Sequence, residues 1–246
     1  MRGFLATFGR ELRAYFFSPL AYVVLTFFLL VNGYVFWLIV SYLNDPRAQA
    51  GAPLELFFGQ TIFFWLVLLF VTPVLTMRLL SEERRSGTIE MLMTAPVTET
   101  QVVLGKYVAA LGYYAFLWLP TLVYVWVVAH FGSVDPGPVL SGYLGVLGIG
   151  ALFLAVGLFA SSLTKNQIVA AMVTFAFLVV LFTFGLLENL LAGDHSRTLF
   201  GYLNLWQHMD EFSKGIVDTR RLVYYLSLTG FFLFLSGRAL AAKRWR

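Results

Sequence analysis

Six apolar runs, each long enough to cross a bilayer, leave this chain few ways to fold. They lie at about residues 20–43, 57–78, 104–131, 140–162, 167–190 and 222–240. A hydrocarbon core about 30 Å thick needs about twenty apolar residues of helix, and helices satisfy their own backbone groups without water. A soluble core has no use for such runs. The balance of residues agrees, with 59% hydrophobic and only 12% charged among 246 residues, where a water-facing surface needs about twice that charge. The expected fold is an all-α integral membrane protein of about six transmembrane helices.

Between the runs lie short polar segments punctuated by Pro and Gly, such as Asn44-Asp45-Pro46 and Asp135-Pro136-Gly137-Pro138. Arg2, Arg10 and Arg13 precede the first run, as in a signal peptide. Its apolar stretch of about twenty residues exceeds the about 7–15 of a signal core, so it reads as an uncleaved helix. An even number of spans puts both termini on one side. That side carries Arg2, Arg10, Arg13, Arg78, Arg84, Arg85, Lys106, Lys165, Arg238, Lys243, Arg244 and Arg246, twelve of the seventeen basic residues. The other holds Arg47, Arg197, Lys214, Arg220 and Arg221. The bias places both termini in the cytoplasm and the chain in the cell membrane. It also explains the net charge of +4 without nucleic acid as a partner.

The residues exclude much chemistry. There is no Cys, hence no disulfide, thiolate nucleophile or Cys-ligated metal. The thirteen acidic residues fall in loops or near helix ends, Glu188 being the deepest, and paired carboxylates are absent from the apolar runs. His130, His195 and His208 lie toward the outer side without metal-ligand spacing. Asn32 is expected to hydrogen-bond a neighbouring helix. No catalytic residue, metal site or bound cofactor is expected, and any work this bundle does needs energy from elsewhere.

Gly142, Gly145, Gly148, Gly150, Ala151, Ala155 and Gly157 give the fourth run a small-residue stripe that suits close packing inside a bundle. Pro73 and Pro120 should kink the second and third spans.

Three further segments are amphipathic. Residues 1–18 place Phe4, Leu5, Phe8, Leu12, Tyr15 and Phe16 on one stripe with arginines elsewhere, which suits a helix in the membrane interface preceding a transmembrane region of residues 19–246. The second is Ser81-Glu-Glu-Arg-Arg-Ser-Gly-Thr-Ile-Glu-Met-Leu-Met-Thr-Ala-Pro96. It breaks at Gly87, shows Ile89, Leu92 and Met93 at helical spacing, places Glu90 in a first turn and stops at Pro96. Thr98-Glu-Thr-Gln101 then reads as a capping box feeding span three. This describes a short helix across the cytoplasmic surface that presents charge and an apolar face, hence a docking surface. The third, within 198–219, repeats Leu205, Met209, Phe212 and Ile216 and suits an anchor in the outer leaflet surface.

Arg78-Leu-Leu-Ser-Glu-Glu-Arg-Arg-Ser-Gly-Thr-Ile-Glu-Met-Leu, with Ala95-Pro96 and Leu104-Gly105-Lys106, resembles the signature of the ABC type-2 permeases, the membrane subunits of type-2 ABC exporters. Arg10 to Tyr22 is similar to that family's N-terminal interfacial helix, and Gly157 to Ala170 to its turn between spans four and five. His208 to Tyr225 is similar to its gliding-motility-associated subfamily.

The resemblance implies an exporter permease paired with a second copy or homologue, surrounded by membrane lipid. Each copy would dock on a separate ABC ATPase subunit that holds ATP and Mg. It implies a cytoplasmic coupling helix over 82–95 with Glu82, Glu83, Arg84, Arg85, Gly87, Thr88, Glu90, Leu92 and Pro96 as contacts, and a lesser contact at Lys165 and Asn166. Consistently, Gly105-Lys106 is followed by Tyr107, and the chain holds no G-x-x-x-x-G-K-[ST] phosphate loop. A non-transporting scaffold that recruits a cytoplasmic partner would show the same docking loop.

Overall fold

In the computed structural model, which describes residues 2–45, 52–88, 98–190 and 201–242, these residues form helices and turns with no strand. Among them, six helical stretches are long and apolar enough to cross a membrane. Helix α1 (Arg2–Phe16) precedes the first, α2 (Pro19–Leu43), where Pro19 occupies the first helical position and Ser18 adopts the extended backbone that separates the two. The second stretch is α3 (Ile62–Thr76) continued through a turn into the short α4 (Ser81–Ser86). The third is α5 (Glu99–Trp118) and α6 (Leu122–Phe131), joined by a 3-10 turn at Leu119–Thr121. The fourth and fifth are α7 (Pro136–Leu163) and α8 (Gln167–Leu190). A short helix α9 (Leu205–Ser213) leads to the last, α10 (Thr219–Ala241).

The helix starts follow local chemistry. Thr98 and Gln101 form the expected capping box at α5, side chain to backbone in both directions. Asp135, Asn204 and Asp218 cap α7, α9 and α10 through free backbone N–H groups of their first turns. Pro120 interrupts span three with the 3-10 turn, whereas Pro73 lies inside an unbroken α3.

Helix α7 is the centre of the bundle: 72% of its apolar window is buried, against 17% for α8 and for α10. Apolar side chains gain nothing by leaving lipid for protein, so helices associate in a membrane through close packing and hydrogen bonds. The small-residue stripe supplies that closeness within the chain. A Cβ on Gly150 would stand 2.1 Å from Tyr114 Cε1, and one on Gly157 2.1 Å from Thr76 Oγ1. Tyr114 also donates to Val146 O at 3.2 Å, so the aromatic ring and the hydroxyl both require the bare glycine backbone beside them.

Three expectations change. The second span begins at Ile62, not near 57, because Gly59 takes a left-handed backbone (φ 91) and Thr61 is extended. Residues 53–60 instead fold back against α9, with Gln60 donating to Asp210 at 3.1 Å. Asn32 bonds Phe28 O within its own helix, since α2 offers a carbonyl one turn back at 2.8 Å. In the described part of the 198–219 segment the stripe of α9 faces protein rather than lipid, and of the stripe residues only Ile216, past the end of that helix, stays exposed. Leu205, His208, Met209 and Phe212 of α9 are buried against the protein, and Ser141 donates to Phe212 O at 2.5 Å. Glu188 and His195 lie outside the side chains described.

Candidate functional site

The bundle has two polar ends. On the basic face, α1, the segment after α3, the start of α5 and the turn between α7 and α8 converge. Lys106, about two turns into α5, is 1% exposed. Its ammonium stands 2.9 Å from Glu11 Oε1 of α1 and 2.9 Å from Glu83 Oε1 of α4. A bare ammonium at that burial is costly, and two carboxylates make it tolerable. Arg10 reaches the same two oxygens from the solvent side, at 2.9 and 2.8 Å. The backbones of α1 and α5 meet closely beside this cluster, where a Cβ on Gly105 would stand 3.0 Å from Thr7 Cβ. Tyr15 completes the junction, donating to Leu75 O at 2.7 Å and stacking on Tyr113. Its burial, then the charge of Glu11, pushes the phenol pKa well above the usual range.

Helix α4 starts without a capping side chain of its own: Leu80 precedes it. Ser161 Oγ, from the last turn of α7, accepts from both Leu80 N and Ser81 N at 3.0 Å and donates to Met77 O. Arg84 is buried and donates to Ser162 O. The cap that helix N-termini normally draw from the preceding residue therefore comes from another span. At the other end Gly87 closes α4 in the left-handed region (φ 73) with nothing near its Cβ position, so the backbone angle alone demands glycine.

The docking residues read from the sequence thus fall into two sets. Glu82, Arg85, Gly87 and Thr88 are exposed. Glu83 and Arg84 point into the protein and tie α4 to α1, α5 and α7. Glu90, Leu92 and Pro96 lie outside the described residues. Lys165 and Asn166 are exposed in the next turn, where Asn166 Oδ1 accepts from Ile168 N and opens α8. That turn follows Ser162, so Arg84 links the two segments of the basic face through backbone. Arg10, Glu11, Ser161 and Ser162 were not legible as site residues. Lys106 was visible only as one more cation on the basic side.

The far face has its own buried cluster. Arg221 grips Glu211 with two hydrogen bonds, Nε to Oε2 at 3.1 Å and Nη2 to Oε1 at 3.0 Å, and gives Nη1 to His208 Nε2 at 2.9 Å. A guanidinium only donates, so Nε2 is the acceptor and the proton sits on Nδ1, facing the Tyr225 hydroxyl at 3.1 Å. Burial, then the neighbouring Arg221 charge, lowers the His208 pKa to about 3. Among the described residues no group of three or more His, Asp or Glu side chains is placed to hold a metal ion.

These features define a multi-span helical membrane protein whose basic face carries a short helix clamped by three neighbouring elements. The chain belongs to the ABC-2 family: the model for "ABC-2 family transporter protein" matches residues 52–235, from the turn before α3 through most of α10. It is accordingly a membrane component of that transporter family. No curated protein matches the chain.

Proposed function

We propose that this chain is the permease subunit of a type-2 ABC exporter, driven by a separate ATP- and Mg-binding ATPase subunit that docks on the 82–95 segment at the cytoplasmic face. A second permease copy or homologue completes the pathway, and 1–18 and 19–246 act as interfacial helix and transmembrane region. Family membership supports a transport role. One observation carries the docking reading: α4 is short, exposes Glu82 and Arg85, and is anchored at the middle of its buried side by Glu83–Lys106 and Arg84–Ser162. A helix held that way moves as one body with α1, α5 and α7, so a push on its exposed side reaches the spans rather than being absorbed in a loose loop.

The test compares Glu82→Lys and Gly87→Pro with the parent chain, co-expressed with its ATPase. Glu82→Lys reverses an exposed charge, and Gly87→Pro removes the left-handed angle that a proline ring cannot adopt. Both variants should insert in the membrane and lose the permease-dependent stimulation of ATP hydrolysis. Unchanged stimulation in both would refute docking on this segment.

A further inference from the structure

We propose that the cleft between α1, α2 and the end of α3 is a binding site for a phospholipid with a zwitterionic, primary-amine headgroup, of the phosphatidylethanolamine class. It goes beyond the transport reading and does not depend on it. The cleft has a volume of about 120 Å³ and is lined by Glu11, Tyr15 and Ser18 on one side and by Arg78 and Glu82 on the other, with Ala21 and Val24 at its apolar end.

Depth identifies the occupant as a lipid. Ser18 and Ala21 bracket the start of α2, and Arg78 lies just past the end of α3, so the polar lining sits where the spans leave the hydrocarbon. The apolar lining, Leu20, Val24 and Val74, lies within the spans. Beside it α2 keeps Val23, Phe27 and Leu30 exposed along its length, a surface suited to acyl chains. A water-borne ligand has no need of that apolar end.

Charge selects the headgroup. Arg78 gives Nε to Glu82 at 3.1 Å and Nη1 to Ser18 Oγ at 3.3 Å, and its side chain is still 41% exposed. A guanidinium has five donors, so this one has N–H groups to spare for a phosphate. The same cleft holds two carboxylates: Glu11, which Lys106 and Arg10 already hold, and Glu82, whose side chain is 49% exposed. A lipid carrying only negative charge meets the exposed one. A primary ammonium places an N–H donor on Glu82 while its phosphate stays on Arg78. A trimethylammonium carries no N–H and cannot.

The test is lipid retention by the purified full-length chain, read by native mass spectrometry after exchange into equimolar dioleoyl phosphatidylethanolamine, phosphatidylcholine and phosphatidylglycerol. The ethanolamine lipid should be retained about tenfold over either of the others, the factor one charge-assisted hydrogen bond carries. Glu82→Gln should lower it to the phosphatidylcholine level. Ala14→Phe, at an exposed position on the cleft wall, should do the same with every charge left in place, which separates loss of the site from loss of the fold. Excess glycerophosphoethanolamine should not displace the lipid. Equal retention of the three lipids, a preference for phosphatidylglycerol, retention indifferent to Ala14→Phe, or displacement by the tail-less headgroup would each overturn the proposal. None of these readouts involves ATP hydrolysis, so a failed docking test and a failed lipid test remain distinct.

Discussion

Lys106 Nζ lies 2.9 Å from Glu83 Oε1, joining the start of the third span to the short helix that follows the second. The pair is buried at its cationic end, with the lysine side chain 2% exposed, and Glu11 shares the same ammonium. Removing the buried cation leaves two neighbouring carboxylates with only Arg10, on their solvent side, to hold them. Lys106→Met should therefore destabilise the protein by about 3 kcal/mol, the usual cost of breaking a buried pair from one side. Arg10→Ala, on the solvent-exposed side of the same oxygens, should cost under about 1 kcal/mol. Thermal denaturation of the two purified variants checks the order.

The glycine stripe of α7 makes a prediction about space. Gly150→Ala and Gly157→Ala each place a methyl 2.1 Å from a neighbour, Tyr114 in one case and Thr76 in the other. Overpacking of this kind costs about 1–3 kcal/mol. Gly237 of α10 has nothing within 4 Å of its Cβ position, so Gly237→Ala should be neutral or stabilising by up to about 1 kcal/mol through helix propensity. Denaturation midpoints of the three variants should split two against one.

Ser161→Ala removes the shared acceptor of Leu80 N and Ser81 N and leaves both N–H groups buried without a partner. The local cost is about 2 kcal/mol. On the proposed function this loosens α4 from α7, so permease-dependent ATPase stimulation should fall several-fold while membrane insertion is kept. Lys165→Ala, in the exposed turn nearby, should change stimulation less.

His208 predicts a pH dependence whose sign is fixed by its environment. The folded protein holds the imidazole neutral, with a pKa lowered to about 3 between Arg221, Tyr225 and the ring of Tyr224, with Asp218 acting from farther off. Its contribution to stability is complete above the unfolded pKa of about 6.5. It declines as pH falls toward about 3, because only the unfolded chain takes up the proton. At pH 5 the loss from this group is about 2 kcal/mol. His208→Gln keeps one acceptor and one donor in place but cannot titrate. Its denaturation midpoint should therefore vary less than the parent's between pH 7 and 5, and equal slopes would count against the buried neutral imidazole.

How much the sequence determined by itself follows from the range of each signal. Span number, the N-terminal amphipathic helix, the capping box at Thr98 and the break at Gly87 are set by residues within a turn or two of each other, and all stand in the structure. So does the crowding of charge after the second span. What only the tertiary structure decided is which of those charges face a neighbour and which face outward. Lys106 finds Glu11 across 95 positions, and Arg84 finds Ser162 across 78. The α9 segment carries the periodicity of a lipid-surface helix, yet Phe212 and Met209 are buried against Gly145 and Gly59. An apolar stripe specifies that a face will be covered. Whether lipid or protein covers it depends on a glycine elsewhere in the chain leaving room, and local pattern contains no term for that.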